Sequence, residues 1–284
     1  AFASLRMANP IRAAGARVID TIGSDQAFVV KTGDVTNILH STDNPWGYGI
    51  NSNNSANGIA SIVWQISIKD INARVPIRTA VMDDINNIEE AIVGDIALEF
   101  AQQEALSMMI NSDATGSGTV QTGAIYGLRG LNSYTGSTSA AAFGSSGSAL
   151  TNGRHTVLEV TQAAANAVAY NDMANLYAAL PPQYLIDPTC AWMMHPTTVK
   201  TLRELVTTTS GVPYFLEVGD DDGGAVVYVF GKPVVVNPYM NIAGAGKYPV
   251  YFAAWNQFVS IADNELMSIK TFEQTQPGFI TIFA

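Results

Sequence analysis

Charged side chains are scarce in this chain. Only 13% of its 284 residues are Asp, Glu, Lys or Arg, about half of the share that is typical of globular proteins, while 48% are hydrophobic. Ionised groups can therefore cover unusually little of the surface. We expect such a chain to bury part of its surface against other copies of itself.

Three other features are missing, and each excludes a class of protein. The formal net charge is −10, which disfavours a dedicated nucleic-acid-binding protein because such proteins need clustered Lys and Arg against the phosphates. Cys190 is the single cysteine, so an intramolecular disulfide is excluded, and the apolar neighbours Ala191 and Trp192 predict a buried, inert thiol. No apolar run reaches the ~18 residues that cross a bilayer, and no secretory signal is visible, so we expect no membrane partner.

The beginning of the chain is locally basic despite the acidic total. Arg6, Arg12 and Arg17 occur there, and no acidic residue precedes Asp20. Two interpretations stay open for this segment: a solvated, flexible terminus, or an arm that docks on acidic residues of a neighbouring subunit.

A long helix is the most informative pattern in the sequence. Residues 82–110 contain no proline, and apolar side chains recur at spacings of three and four, which places on one helical face Ile85, Ile88, Ile92, Ile96 and Phe100. At ~1.5 Å per residue this helix would be roughly 40 Å long, more than most domain helices. Gly94 inside it costs about 1 kcal/mol relative to alanine, which suggests a bend or a close contact.

A β-hairpin is predicted before the helix. Residues 28–39 and 59–71 have the composition and alternation of strands. The connection 40–58 is rich in Asn, Ser and Gly and is much longer than a tight hairpin turn needs. Because a solvated loop does not favour apolar residues, we interpret three of them as contacts with another subunit: Trp46, Tyr48 and Ile50.

The remainder of the chain mixes helices and strands. Residues 154–170 have helical composition, 176–180 fit a strand or a short helix, and 189–194 predict a buried strand. His195-Pro196-Thr197 then starts a helix with Val199, Leu202, Leu205 and Val206 on one face. Strands are predicted in 225–236, 248–262 and 265–283. Hairpin, long helix, mixed segment and terminal strands in this order indicate an α+β architecture.

Residues for catalysis are not visible. His40, His155 and His195 have no recognisable acid, base or nucleophile partner, and the aspartates at 220–222 do not have the alternating spacing of a calcium loop. We therefore predict no catalytic residues, no cofactor and no metal site. A small-molecule enzyme with a site in 125–240, around His155 and His195, is kept as the alternative from another functional class.

Several stretches together resemble the major capsid proteins of tailed bacteriophages. The hairpin and long acidic helix, followed by Gly123-Ala124-Ile125-Tyr126-Gly127-Leu128, are similar to the extended loop, spine helix and glycine-leucine turn of that family. Further similar stretches are Cys190–Val199, with its Trp-x-Met strand and Thr-containing helix, Val229–Val234 with its Gly-x-Pro-Val strand, and Tyr251–Asn256. The resemblance covers essentially the whole chain and implies the Hong Kong 97 (Johnson) fold, which encapsulin shells share.

The resemblance implies a domain organisation. Residues 1–27 would be an N-terminal arm and 28–75 the extended loop over an adjacent subunit. Residues 76–124 and 241–284 would form the peripheral domain with the spine helix, and 125–240 the axial domain. Such protrusions cost chain entropy in an isolated monomer, which burial of apolar area in an assembly offsets at ~25 cal/mol per Å².

The resemblance also implies a function and partners. The protein would assemble as hexamers and pentamers into an icosahedral shell around double-stranded DNA in the host cytoplasm, and an encapsulin-like compartment is the alternative. Portal, protease and decoration proteins would be its other partners, and DNA contact would be weak and nonspecific, through Arg6, Arg12 and Arg17. The start at Ala1 would fit either cleavage of a scaffolding segment or methionine removal. Because residues 41–58 contain no lysine, we expect a shell without covalent crosslinks.

Overall fold

The computed structural model describes residues 9–21, 25–31, 61–68, 70–79, 88–110, 128, 130–134, 136–138, 157–163, 166–205, 217–219, 226–264 and 268–284. The chain divides into two units. Unit 1 comprises Ala1–Asp20, Lys69–Ser133 and Gln162–Ala284, and unit 2 comprises Thr21–Ile68 and Tyr134–Thr161.

Unit 2 contains the predicted hairpin. Strands β2 (Asp25–Lys31) and β3 (Ser61–Ser67) pair antiparallel, with Phe28 opposite Trp64, which confirms the pairing that the strand pattern predicted. The connecting loop, with Trp46, Tyr48 and Ile50, lies outside the described residues. Two short strands of the same unit, β5 (Gly136–Ser137) and β6 (Val157–Leu158), pair parallel.

The long helix is described as α2, Ile88–Ile110, in unit 1. Its 23 residues give a length of about 35 Å at 1.5 Å per residue. Ile92, Ile96 and Phe100 pack in one apolar cluster, as the helical spacing predicts, whereas Ile85 and the side chain of Ile88 lie outside the described part. The helix continues through Gly94, where an added Cβ would meet no atom within 4 Å, so the close contact predicted there is wrong for the described residues.

The cluster under α2 is formed with a small antiparallel sheet. Its strand order is β13 (Lys270–Gln276), β14 (Phe279–Phe283) and β4 (Arg74–Arg78). Ile77 and the fully buried Ile282 project from this sheet against Ile96 of the helix. One face of the sheet is thereby covered by α2.

A larger mixed sheet forms the second layer of unit 1. Within the described residues its order is β11 (Val250–Ala254), β7 (Cys190–Met194), β10 (Lys232–Val236), β9 (Val226–Val229) and β8 (Glu217–Gly219). β7 and β10 are parallel, and the other neighbours are antiparallel. All five residues of β7 are buried, which confirms the buried strand predicted at 189–194.

The two faces of β7 enter two different cores. Cys190, Trp192 and Met194 pack in a first core with residues of α3 (Tyr170–Ala179), and with Val199 and Leu202 of α5 (Pro196–Glu204). Ala191 and Met193 pack in a second core that includes residues from the end of α2 and from α6 (Trp255–Phe258). Because α2 contributes to the second core and to the cluster on the small sheet, it links the two layers of unit 1.

The helix predicted at 154–170 is wrong over most of its length. Residues 157–158 form β6, and α3 begins only at Tyr170, followed by the short α4 (Pro182–Leu185). The carboxylate of Asp172 accepts hydrogen bonds from the backbone N–H of Ala163 (2.9 Å) and Ala169 (3.0 Å). Asn166 between them has a left-handed backbone with φ 64°. These bonds satisfy the backbone in an irregular conformation that competes with the helix.

The segment predicted as an arm also contains ordered structure. α1 (Pro10–Ala13) and β1 (Arg17–Asp20) belong to unit 1, and β1 pairs parallel with β12 (Ser260–Asp263). Ile11 is fully buried in the second core. The described part of the predicted arm therefore packs on its own chain. The domain boundaries stay predictions, since the peripheral residues and most of the axial residues fall within the same unit.

Candidate assembly surfaces

The N-terminal segment is held in place by a polar cap on α1. Asn9 precedes the helix, and its Oδ1 accepts a hydrogen bond from the Ile11 N–H at 3.0 Å, while Pro10 occupies the first helical position. The Asn9 Nδ2 donates to Oε2 of Glu104 at 2.7 Å and to the Met108 sulfur at 3.2 Å. The cap therefore also attaches the segment to α2.

Arg12 joins three elements through its guanidinium. Its Nε donates to both carboxylate oxygens of Glu104, at 3.1 and 3.0 Å. Nη1 and Nη2 donate to the two oxygens of Asp263, at 2.8 and 2.9 Å. Hydrogen bonds to Asp263 and then Glu104 raise the Arg12 pKa above its ordinary value. We call these three side chains the Arg12 clamp, which ties α1 to α2 and to β12.

The six residues predicted to contact other subunits have different positions. Arg12 is engaged within its own chain, and Arg17 is exposed on β1. The other four lie outside the described residues: Arg6, Trp46, Tyr48 and Ile50. The structure therefore describes only two of the six, and the role of all six as interface residues stays a prediction.

Large apolar side chains are exposed at several places in unit 1. Ile186 is 83% exposed and Ile242 is 56% exposed, and the others are Val18, Ile71, Leu98 and Phe272. Single exposed apolar residues are normal on a protein surface. Phe272 differs from the rest because it belongs to a cluster of cationic and aromatic side chains on the small sheet.

The face of the small sheet that points away from α2 is cationic and aromatic. Residues in register across the three strands share this face, which we call the outer sheet face: Arg74, Pro76, Arg78, Lys270, Phe272, Phe279, Thr281 and Phe283. The Arg74 guanidinium lies 5.7 Å from the ring centre of Phe283, and that of Arg78 lies 5.9 Å from the ring centre of Phe279. The rings of Phe272 and Phe283 meet edge to face at 5.4 Å.

The sequence carries a signal for this face, although the face was not predicted. Every second residue of Arg74–Arg78 and of Phe279–Phe283 lies on the outer sheet face, and an alternation of this kind is the period of a strand with two different faces. The pattern did not show that residues 74–78 pair with residues 279–283, because the two segments are far apart in sequence.

His195, Cys190 and Tyr251 have structural surroundings rather than the partners that catalysis needs. Nδ1 of His195 accepts the Thr197 N–H at 3.1 Å, which confirms His195 as a residue that starts a helix. Burial raises the pKa of the Cys190 thiol, and burial also raises the pKa of Tyr251, whose hydroxyl donates to Oδ1 of Asn132 at 2.7 Å. Among the described residues no group of three His, Cys, Asp or Glu side chains is arranged to hold a metal ion.

No helix in the described part of the chain is both long and apolar enough to cross a bilayer.

Comparison with known proteins gives a family and a fold. The model of the phage capsid family matches residues 5–284, whereas no curated protein matches the chain in sequence. Among solved structures, the capsid of an empty GTA particle is similar with a TM-score of 0.73 at 17% identity, covering 100% of this chain and 85% of that chain. A structure from Microbacterium phage Oxtober96 has a TM-score of 0.58 at 11% identity, with coverage of 100% and 84%.

Encapsulin shells share the fold as well. The SrpI encapsulin of Synechococcus elongatus PCC 7942 has a TM-score of 0.60 at 10% identity, covering 100% of this chain and 83% of that chain. At such identities the similarity concerns the fold, and the family follows from the match over residues 5–284. The chain belongs to the phage capsid family and has the Hong Kong 97-like capsid fold.

Proposed function

We propose that the protein is the major capsid protein of a tailed phage and that its copies form hexamers and pentamers in an icosahedral shell around double-stranded DNA. The observation that carries this proposal is the match to the phage capsid family over nearly the whole chain. The fold supports it, because the described helix α2 is long enough to brace two layers of the subunit. As a capsid protein it is a component of the virion, and its assembly in the host cytoplasm is part of the proposal.

Electron microscopy and light scattering of the purified protein test this function. We expect closed particles of uniform diameter at physiological salt. A monodisperse monomer that persists over a wide range of protein and salt concentrations would contradict the proposal. A denaturing gel of the particles should show only the 30.2 kDa chain, because the shell is proposed to have no covalent crosslinks.

An encapsulin-like compartment is the second candidate, supported by the similarity to the SrpI encapsulin. The contents of particles purified from the native source distinguish the two candidates. Packaged double-stranded DNA supports the phage capsid, whereas a protein cargo in particles free of DNA supports the compartment.

Other partners follow from the capsid proposal. A portal, a maturation protease and a decoration protein are proposed to bind the shell, while the acidic subunit makes weak, nonspecific contact with DNA. The sequence pattern assigns DNA contact to Arg6, Arg12 and Arg17. Because two carboxylates of its own chain hold Arg12, the proposal now rests more on Arg6 and Arg17.

A further inference from the structure

The small sheet β13–β14–β4 has two faces of opposite character. Toward α2 it presents apolar side chains such as Ile77 and Ile282, which are buried against Ile96. On the outer sheet face, Arg74 and Arg78 are exposed, and Phe272 is 51% exposed. In the part of the chain that the structure describes, these three side chains are open to solvent.

Among the side chains that the structure describes, no carboxylate pairs with the cations of the outer sheet face. Arg74 and Arg78 contact phenyl rings, and Lys270 is exposed beside them on β13. A guanidinium that lies over a ring uses its planar face, so the N–H groups at its edge remain free to bind a carboxylate.

A buried hydroxyl on the same face is also unsatisfied. Thr281 lies between Phe279 and Phe283 on β14 and opposite Phe272 on β13. It is 1% exposed, and its Oγ1 has no hydrogen-bond partner. Because this atom is not accessible from outside, the hydroxyl is not available to another molecule on this face.

We propose that the outer sheet face is a contact surface for a carboxylate-bearing surface of a second copy of this chain. The inference rests on the proposed function, since it requires an assembly of copies, and it assigns one contact of that assembly to named residues. The two arginines bind carboxylates, and the half-exposed ring of Phe272 is buried against the apolar part of the partner.

Charge complementarity favours a second copy as the occupant. The chain has a net charge of −10 although this face is positive, so the rest of its surface is more acidic still. Arg binds carboxylates through two parallel hydrogen bonds, and Arg and Phe are enriched in protein interfaces. A homo-oligomer with closed symmetry can use such a pair of unlike surfaces at every subunit contact.

Duplex DNA fits the same face less well. The phosphate backbone would satisfy Arg74, Arg78 and Lys270, but it offers no apolar surface to Phe272 and Phe283. Contact with DNA is therefore treated as the competing outcome of the test.

The test is a charge reversal on the outer sheet face, Arg74→Glu with Arg78→Glu. We expect the protein concentration at which particles form to rise at least tenfold, because two carboxylates would then face the acidic surface of the partner. Circular dichroism and the melting temperature of the unassembled protein should stay close to those of the wild type. A matched control, Arg203→Glu with Lys247→Glu, reverses the same charge at exposed positions elsewhere in unit 1 and should assemble within threefold of the wild type.

Milder variants keep the test decisive if the charge reversal prevents folding. Arg74→Gln with Arg78→Gln removes the charge without introducing repulsion, and Phe272→Ser removes the exposed ring. Each is expected to raise the assembly concentration several-fold. Unchanged assembly of both would overturn the proposal.

The other outcomes are separable from a failure of the proposed function. If the wild type forms no particles, the capsid function is wrong. If it does form them and the double variant assembles equally well, the outer sheet face is not a subunit contact. Normal assembly with loss of packaged DNA would assign the face to nucleic acid, and equal loss in the matched control would show a general effect of net charge. Either of these last two results would overturn the proposal.

Discussion

The Arg12 clamp should contribute measurably to the stability of the subunit. In Arg12→Met the side chain keeps most of its length and apolar volume but loses its charge and all its hydrogen bonds. Glu104, whose side chain is 17% exposed, and Asp263, which is 36% exposed, then retain negative charges without the cation between them. Glu104 keeps the hydrogen bond from Asn9.

The magnitude follows from the burial of the three side chains. Removing one partner of a fully buried ion pair costs about 3–5 kcal/mol, whereas an exposed pair contributes less than about 1 kcal/mol. Arg12 is about one-third exposed and binds two carboxylates, so we expect a loss of about 2 kcal/mol, between these limits. Arg12→Lys should recover only part of this loss, because an ammonium cannot bind both carboxylates through paired hydrogen bonds.

Denaturant unfolding of unassembled subunits measures this loss. Arg17→Met is the matched control, since Arg17 is an exposed cation of the same segment, and it should change the unfolding free energy by less than about 0.5 kcal/mol. A double-mutant cycle with Glu104→Gln should give a coupling energy of about 1 kcal/mol. The reasoning is refuted if Arg12→Met and Arg17→Met have equal effects, or if the cycle shows no coupling.

Three further predictions concern the cores, a turn and alkaline pH. Ile11→Ala, at a fully buried position, should lower the unfolding free energy measured with denaturant by about 3 kcal/mol. Val18→Ala, at a 47% exposed position, should lower it by less than about 0.5 kcal/mol. Equal losses would show that α1 does not pack as described. Gly231→Ala should destabilise the subunit by about 1–2 kcal/mol, because φ is +70° in the turn between β9 and β10. Gly94→Ala in α2 should stabilise the subunit by about 0.5–1 kcal/mol, because an added Cβ would meet no atom within 4 Å there. A rise in melting temperature for Gly231→Ala and a fall for Gly94→Ala would contradict both expectations. The raised pKa of Tyr251 should make the unfolding free energy constant below about pH 10 and decreasing above it, because above that pH only the unfolded chain releases the phenolic proton. The slope is at most about 1.4 kcal/mol per pH unit, and Tyr251→Phe should reduce it. An unchanged slope in the variant would be the contrary result.

Local sequence patterns were sufficient to predict the helices and strands whose apolar side chains repeat at a regular spacing. The apolar stripe of α2, the buried strand β7 and the helix that starts after His195 could all be predicted, because their side chains repeat at the spacing of one helix or strand. The order of these elements also indicated the capsid fold. The helix predicted at 154–170 failed because the carboxylate of Asp172 satisfies the backbone locally, and hydrophobic periodicity does not register such bonds.

The surfaces of the subunit depended on contacts between distant parts of the chain. Arg12 meets Glu104 and Asp263, 92 and 251 positions away, and no local pattern specifies which acidic residue will lie beside an arginine. The outer sheet face likewise requires the register of β4 against β14, which is determined by burial of the opposite face under α2. The amino-acid order therefore specified the elements and the family, because these depend on short-range periodicity and on motif order. The pairing of charges and the face left open to a partner were determined by packing, because both depend on residues that meet only in the folded chain.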